Sequence, residues 1–139
     1  MKLPSRSACF LSLCPALLLA ASLAAPAARA ATPAQLLEGY TVQAGAPAVP
    51  ARGQRLFTTR QGGQWSCASC HGSVPTATEK HASTGKAIAP LAPAFHPERF
   101  TDADKVEKWF RRNCNDVAGR ACTAAEKADV LSWLMTLKP

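Results

Sequence analysis

Cys67-Ala68-Ser69-Cys70-His71 decides how the rest of this chain is read. Its two thiols lie about one helical turn apart, and a histidine follows the second at once. At that spacing each thiol can add across one vinyl group of a haem to give a thioether, and the next residue then meets the iron. Histidine suits that place because its neutral imidazole is a good donor to iron. A hydrogen bond from its other ring nitrogen, expected here to a backbone carbonyl of the proline-rich loop downstream, fixes its orientation. The motif occurs once, so it implies one covalent haem c held through Cys67, Cys70 and His71.

Upstream, the chain opens with a positively charged start (Lys2, Arg6), an apolar stretch to about Ala25 and an Ala28-Arg29-Ala30 cleavage signal. Residues 1–30 therefore read as a cleaved signal peptide, and 31–139 as a single cytochrome c domain. Pro15 and Pro26 break the apolar run, which argues against a retained membrane anchor. Export places the mature chain in the periplasm, an oxidising compartment. The formal charge of the whole chain is +7. It shrinks once Lys2, Arg6 and Arg29 depart without any acid. No Lys/Arg run remains, which excludes nucleic acid as a partner and allows weak docking to an acidic protein.

Of the six cysteines, Cys9 and Cys14 leave with the signal. Cys67 and Cys70 form a close pair, and Cys114 and Cys122 a wider one. An even count with none spare is what haem attachment plus one disulfide requires. Zinc knuckles and thioredoxin-like dithiols also use Cys-x-x-Cys. Zinc would need Cys114 and Cys122 as its further ligands, and a dithiol catalyst would need a βαβ setting that the pattern lacks.

Thr32-Pro33 caps a short helix running to about Gly39, and a second helix carries Gly53, Leu56 and Phe57. Residues 72–100, with Pro75, Pro90, Pro93 and Pro97, read as an irregular loop that wraps a site. Thr101, Asp102 and Asp104 open a third helix, with Val106, Trp109 and Phe110, that runs to about Arg112. Thr123-Ala124-Ala125-Glu126 is a capping box for the last, where Val130, Trp133, Leu134 and Leu137 recur at helical spacing. No alternating apolar pattern supports a strand. The expected fold is all-α: about four helices wrapped around one haem.

The second side of the iron usually takes Met or His. Met1 leaves with the signal, and Met135 sits among apolar residues of the last helix, where a packing role is expected. His81 and His96 lie in the loop and could ligate, giving a closed bis-His electron carrier. The remaining region is Arg111-Arg112-Asn113-Cys114-Asn115-Asp116, between the third and last helices.

Here the sequence resembles a known family. Lys105-Val106-Glu107-Lys108-Trp109-Phe110, Arg112-Asn113-Cys114-Asn115, Gly119-Arg120, Cys122-Thr123 and Glu126-Lys127-Ala128-Asp129 are similar to the sphaeroides haem protein group of small class I-like cytochromes c. The likeness extends to Pro33-Ala34-Gln35-Leu36, the haem motif and Ile88-Ala89-Pro90-Leu91-Ala92-Pro93. It implies that Asn113 is the sixth iron ligand, with Asn115 as runner-up, and that Cys114 and Cys122 form a disulfide beside it. It also implies that the asparagine leaves on reduction, so that a diatomic such as oxygen or nitric oxide can bind. Electrons are then expected from a dihaem cytochrome c and, behind it, a membrane b-type cytochrome. No catalytic acid, base or nucleophile is evident. The expected function is electron transfer with small-ligand binding. The alternatives are a terminal enzyme reducing oxygen, nitric oxide or a related molecule, and the closed bis-His carrier.

Overall fold

The computed structural model describes residues 30–139. The signal-peptide reading of residues 1–30 lies almost wholly outside them. Five helices follow in order: α1 (Pro33–Ala44), α2 (Pro50–Thr58), α3 (Ala68–His71), α4 (Ala103–Ala118) and α5 (Ala124–Thr136). A minimal antiparallel hairpin, β1 (Glu79–Lys80) and β2 (Ala87–Ile88), lies between α3 and α4. None of these helices is long and apolar enough to cross a membrane.

Local chemistry sets the helix ends. Thr32 and Gln35 bond reciprocally at the start of α1, and Thr123 and Glu126 do the same for α5. Asp102 accepts from the Lys105 N–H at 2.9 Å to open α4. Gly119, with φ 66°, takes the left-handed conformation that closes it.

α5 is the centre of the fold. From Ala128 to Leu134 every residue is buried, because α1 packs on one side and α2 on another. Tyr40, Phe57, Phe100 and Val106 complete its core with Leu131, Trp133 and Leu134. The α2–α5 crossing is closest at Gly53, where a Cβ would collide with the Asp129 carbonyl. Asp129 is itself buried, and its carboxylate is matched by the Arg52 guanidinium (2.7 and 3.0 Å) and the Val49 N–H (2.6 Å). α4 is tied to this body through side chains. Glu107 accepts from the Tyr40 hydroxyl (2.6 Å) and from Lys127 Nζ (2.7 Å), and the Tyr40 and Phe110 rings meet edge-on at 5.9 Å.

Several sequence expectations need correction. α1 continues to Ala44, past Gly39, because its left-handed stop is Gly45. The third helix does not end near Arg112 but runs to Ala118, so Asn113 is a helical residue rather than a linker residue. The loop 72–100 contains a strand pair where none was expected. A turn at Gly85 (φ 66°), with His81 and Lys86 bonded across it at 2.8 Å, brings two strands of two residues into register. So short a pair cannot show an alternating pattern. The fifth helix is the single turn of α3.

Candidate haem centre

α3 is one helical turn built around the thiols. The Cys70 and His71 N–H groups donate to the Cys67 carbonyl at 3.2 and 3.0 Å, and Gly72 donates to Ala68 at 3.0 Å. Ser69 Oγ accepts from the Ser66 N–H at 3.0 Å and so braces the entry to the turn. Gly72, with φ 74°, then turns the chain away where a side chain would press on Glu79. Cys67 and Cys70 remain separate thiols, whereas Cys114 is bonded to Cys122.

Burial pushes the Cys67 thiol up to about 11, with the neighbouring Cys70 adding to the shift. A dithiol catalyst needs the opposite, a thiolate near neutral pH. A buried sulfur that resists charge is suited to a thioether. Burial likewise brings His71 down to about 4, helped by the nearby positive charges of Arg99 and His81. The imidazole is therefore neutral, the form that binds a metal. Its ring packs against Phe57 (6.1 Å), which in turn packs against Trp133 of α5 (5.0 Å), so the core aromatics fix its place. Cys114 and Cys122, the further ligands that zinc would need, are bonded to each other.

The proline-rich loop folds back onto the segment after His71. Pro75 is fully buried, and its carbonyl accepts from the Leu91 and Ala92 N–H groups at 3.0 and 3.1 Å. The Ala92 carbonyl holds His96, and the His96 carbonyl holds Arg99. The Arg99 guanidinium reaches back to the carbonyls of Pro90 and Ala89, each at 3.0 Å. His81 shares hydrogen bonds with Ser83 near the hairpin turn, where the Ala82 N–H approaches Cys70 Sγ at 3.4 Å. The two loop histidines thus belong to segments tied to Cys70 and to the stretch following His71. His96 Nδ1 is buried without a partner.

α4 has a stripe of Val106, Phe110, Asn113, Cys114 and Val117 at helical spacing. Val106 and Cys114 are buried, and Phe110, Asn113 and Val117 are half-buried. Asn115 is exposed. The turn before the haem motif comes close to the end of this helix, since a Cβ on Gly63 would lie 3.1 Å from the Val117 carbonyl. Met135, on α5, packs against the core and lines a cleft with Thr32, Pro33 and Pro93. The donor set suits a haem: two sulfurs one turn apart, an adjacent neutral imidazole, and an amphipathic helix whose apolar stripe is only half covered. Nothing in the local sequence points to Arg99. Its signal exists only in three dimensions, as a guanidinium brought near His71 by a loop that closes on itself.

Residues 43–134 match the family described as a domain of unknown function, DUF1924. The cytochrome c-type protein SHP of Cereibacter sphaeroides is 54% identical over 123 residues, covering 85% of this chain and 95% of that protein. The structure of oxidised SHP, described as an oxygen-binding cytochrome c, superimposes with a TM-score of 0.73 at 52% identity, covering 78% of this chain and 99% of the other. Cytochrome c'' from Methylophilus methylotrophus, whose solution structure is described as giving insight into haem-ligand detachment, gives a TM-score of 0.68 at 36% identity. That match covers 77% of this chain and 94% of the other.

Proposed function

Because the chain belongs to the family of small all-α c-type cytochromes that includes SHP, the sphaeroides haem protein, and because it carries one covalent haem c, we propose that it is an electron-accepting haem protein whose sixth iron position opens on reduction. The haem supplies one-electron redox chemistry and an iron that can take a small ligand. Cys67 and Cys70 attach it, and His71 gives the permanent nitrogen ligand. Asn113 would give the second ligand, a neutral amide held in place by α4 and by the Cys114–Cys122 disulfide next to it. An amide oxygen is attracted more strongly by ferric than by ferrous iron, so Asn113 would hold a ferric haem more firmly than a ferrous one. The haem would then supply a site for a diatomic such as oxygen or nitric oxide. Oxygen binding by SHP and ligand detachment in cytochrome c'' support this reading.

The observation that carries the proposal is the position of Asn113. It is the one polar residue on the α4 stripe that otherwise carries Val106, Phe110, Cys114 and Val117, whereas Asn115 points to solvent. An intrachain disulfide and a covalent haem both suit export to the periplasm. There the electrons would come from a dihaem cytochrome c supplied by a membrane b-type cytochrome.

The test is the absorption spectrum of the ferric and ferrous protein, with and without carbon monoxide, for the wild type, Asn113→Ala and Asn115→Ala. The expected results are a wild-type ferrous protein that binds carbon monoxide and a ferric spectrum altered by Asn113→Ala but not by Asn115→Ala. A ferrous wild type indifferent to carbon monoxide would overturn the open-iron reading. A ferric spectrum untouched by Asn113→Ala would remove Asn113 from the iron.

A further inference from the structure

α4 has a second face that the haem centre does not use. Lys105, Lys108, Trp109 and Arg112 recur at i, i+3, i+4 and i+7, and all four are exposed, Trp109 at 44%. The Arg112 guanidinium lies 5.6 Å from the centroid of the Trp109 ring. The ion pairs among the described residues use Arg52, Arg120 and Lys127, so Lys105, Lys108 and Arg112 are not engaged in one, although Asp104 and Asp116 lie one turn away from Lys108 and Arg112. The helix is well secured, capped by Asp102 at its start and cross-linked through Cys114 near its end. Single exposed apolar residues are ordinary. An exposed indole bordered by unpaired cations on a fixed helix is different, because Trp and Arg are the residues that carry binding energy at protein interfaces. Trp109 also precedes Asn113 by four residues, about 6 Å along the axis.

The geometry points to the Lys105–Lys108–Trp109–Arg112 face of α4 as the docking surface for an acidic redox protein that delivers electrons to the haem. This rests on the electron-accepting reading above. In the step itself the partner's reduced centre loses one electron and the ferric haem gains it, with no bond made or broken at the docking face. Unpaired lysines would steer an acidic partner and set its orientation, while the indole gives the contact its apolar centre. The hairpin also shows lysines, Lys80 and Lys86, close to Cys70. There Glu79 is adjacent, and no aromatic accompanies them. One indole is too little apolar surface for stable anchoring to a lipid face, so a protein partner is favoured over an anionic membrane.

The experiment uses the haem-loaded protein and flavodoxin hydroquinone, an acidic redox protein, as the probe reductant in stopped flow over a range of ionic strength. The double variant Lys105→Glu/Lys108→Glu is expected to lose roughly tenfold or more of the bimolecular rate at low salt and most of its salt dependence. Trp109→Ala should slow the reaction several-fold and leave the salt dependence in place. Lys80→Glu/Lys86→Glu should behave as wild type, and all variants should be reduced equally by dithionite. Unchanged rates in Lys105→Glu/Lys108→Glu, a loss confined to Lys80→Glu/Lys86→Glu, or a wild-type rate insensitive to salt would overturn the proposal. Binding to phosphatidylserine vesicles that is abolished by Lys105→Glu/Lys108→Glu, with the flavodoxin rate unaffected, would overturn it in favour of a membrane surface. Failure of the underlying function is separately visible, as a dithionite-reduced wild type that ignores carbon monoxide.

Discussion

Gly53 has no place in the haem chemistry, yet it controls how closely α2 can approach α5. Its Cα faces the Asp129 carbonyl, where a methyl group has no room. Asp129 cannot easily move aside, because its carboxylate is fastened to Arg52 and Val49. Gly53→Ala should therefore cost about 1–3 kcal/mol, the usual range for overpacking, although alanine is the better helix former. Urea unfolding of the haem-loaded variant would measure this, and a variant as stable as wild type would show that the helices slide apart freely. Gly53, Leu56 and Phe57 were legible as a helix, but the reason for the glycine lies on α5 and appears only in the folded chain. The single turn from Cys67 to His71 is recognisable as a haem motif because its spacing is local. Arg99 is not, because its role depends on a loop returning to the carbonyls of Ala89 and Pro90.

Among elements, α5 shows most directly how local signals become stability. Its capping box was readable from Thr123 and Glu126, but the structure adds Arg120, which meets the Glu126 carboxylate at 2.6 and 2.8 Å. That guanidinium, ahead of the hydrogen bond from Thr123, holds the Glu126 carboxyl down to about 2. A carboxyl with a lowered folded-state pKa stabilises the fold above its unfolded value of about 4.3, and the contribution is lost as pH falls through about 2. The pair is exposed enough to solvent that its worth stays within about 1 kcal/mol. The stability gap between wild type and Glu126→Gln should thus be constant from neutral pH to about 5 and shrink steadily below about 4. Chemical denaturation at several pH values would show it, and a gap undiminished at the acid end would refute the assignment. α4 was less legible. Arg112-Asn113-Cys114-Asn115 looks like a helix ending, since asparagine is a weak helix former. The helix continues to Gly119, the first residue that can take the left-handed closing conformation cheaply.

At the scale of the molecule, the helices divide by what covers them. α1, α2 and α5 bury one another and share the core of Phe57, Leu131, Trp133 and Leu134. α4 leaves Phe110, Asn113 and Val117 half-covered, and the segment from Gly72 to Phe100 has only a two-residue strand pair and a few backbone bonds of its own. A chain of this size has little apolar surface to spare, so a covalently held haem should act as core for the parts that lack one. The variant Cys67→Ser/Cys70→Ser, which cannot attach the haem covalently, isolates that contribution. Its α1–α2–α5 body should retain amide protection, because its packing is internal to the polypeptide. α4 and residues 72–100 should exchange far faster than in the haem-loaded protein, since their inward surfaces would face water. The Cys114–Cys122 bond limits how far α4 can unravel by closing a short loop in the unfolded chain, an effect worth roughly 2–3 kcal/mol in the chain-entropy model. Hydrogen exchange read peptide by peptide on both proteins decides the matter. Equal protection of α4 with and without haem would mean that the helix is stabilised by Glu107, Tyr40 and Lys127 alone, and that the haem fills a site already complete without it.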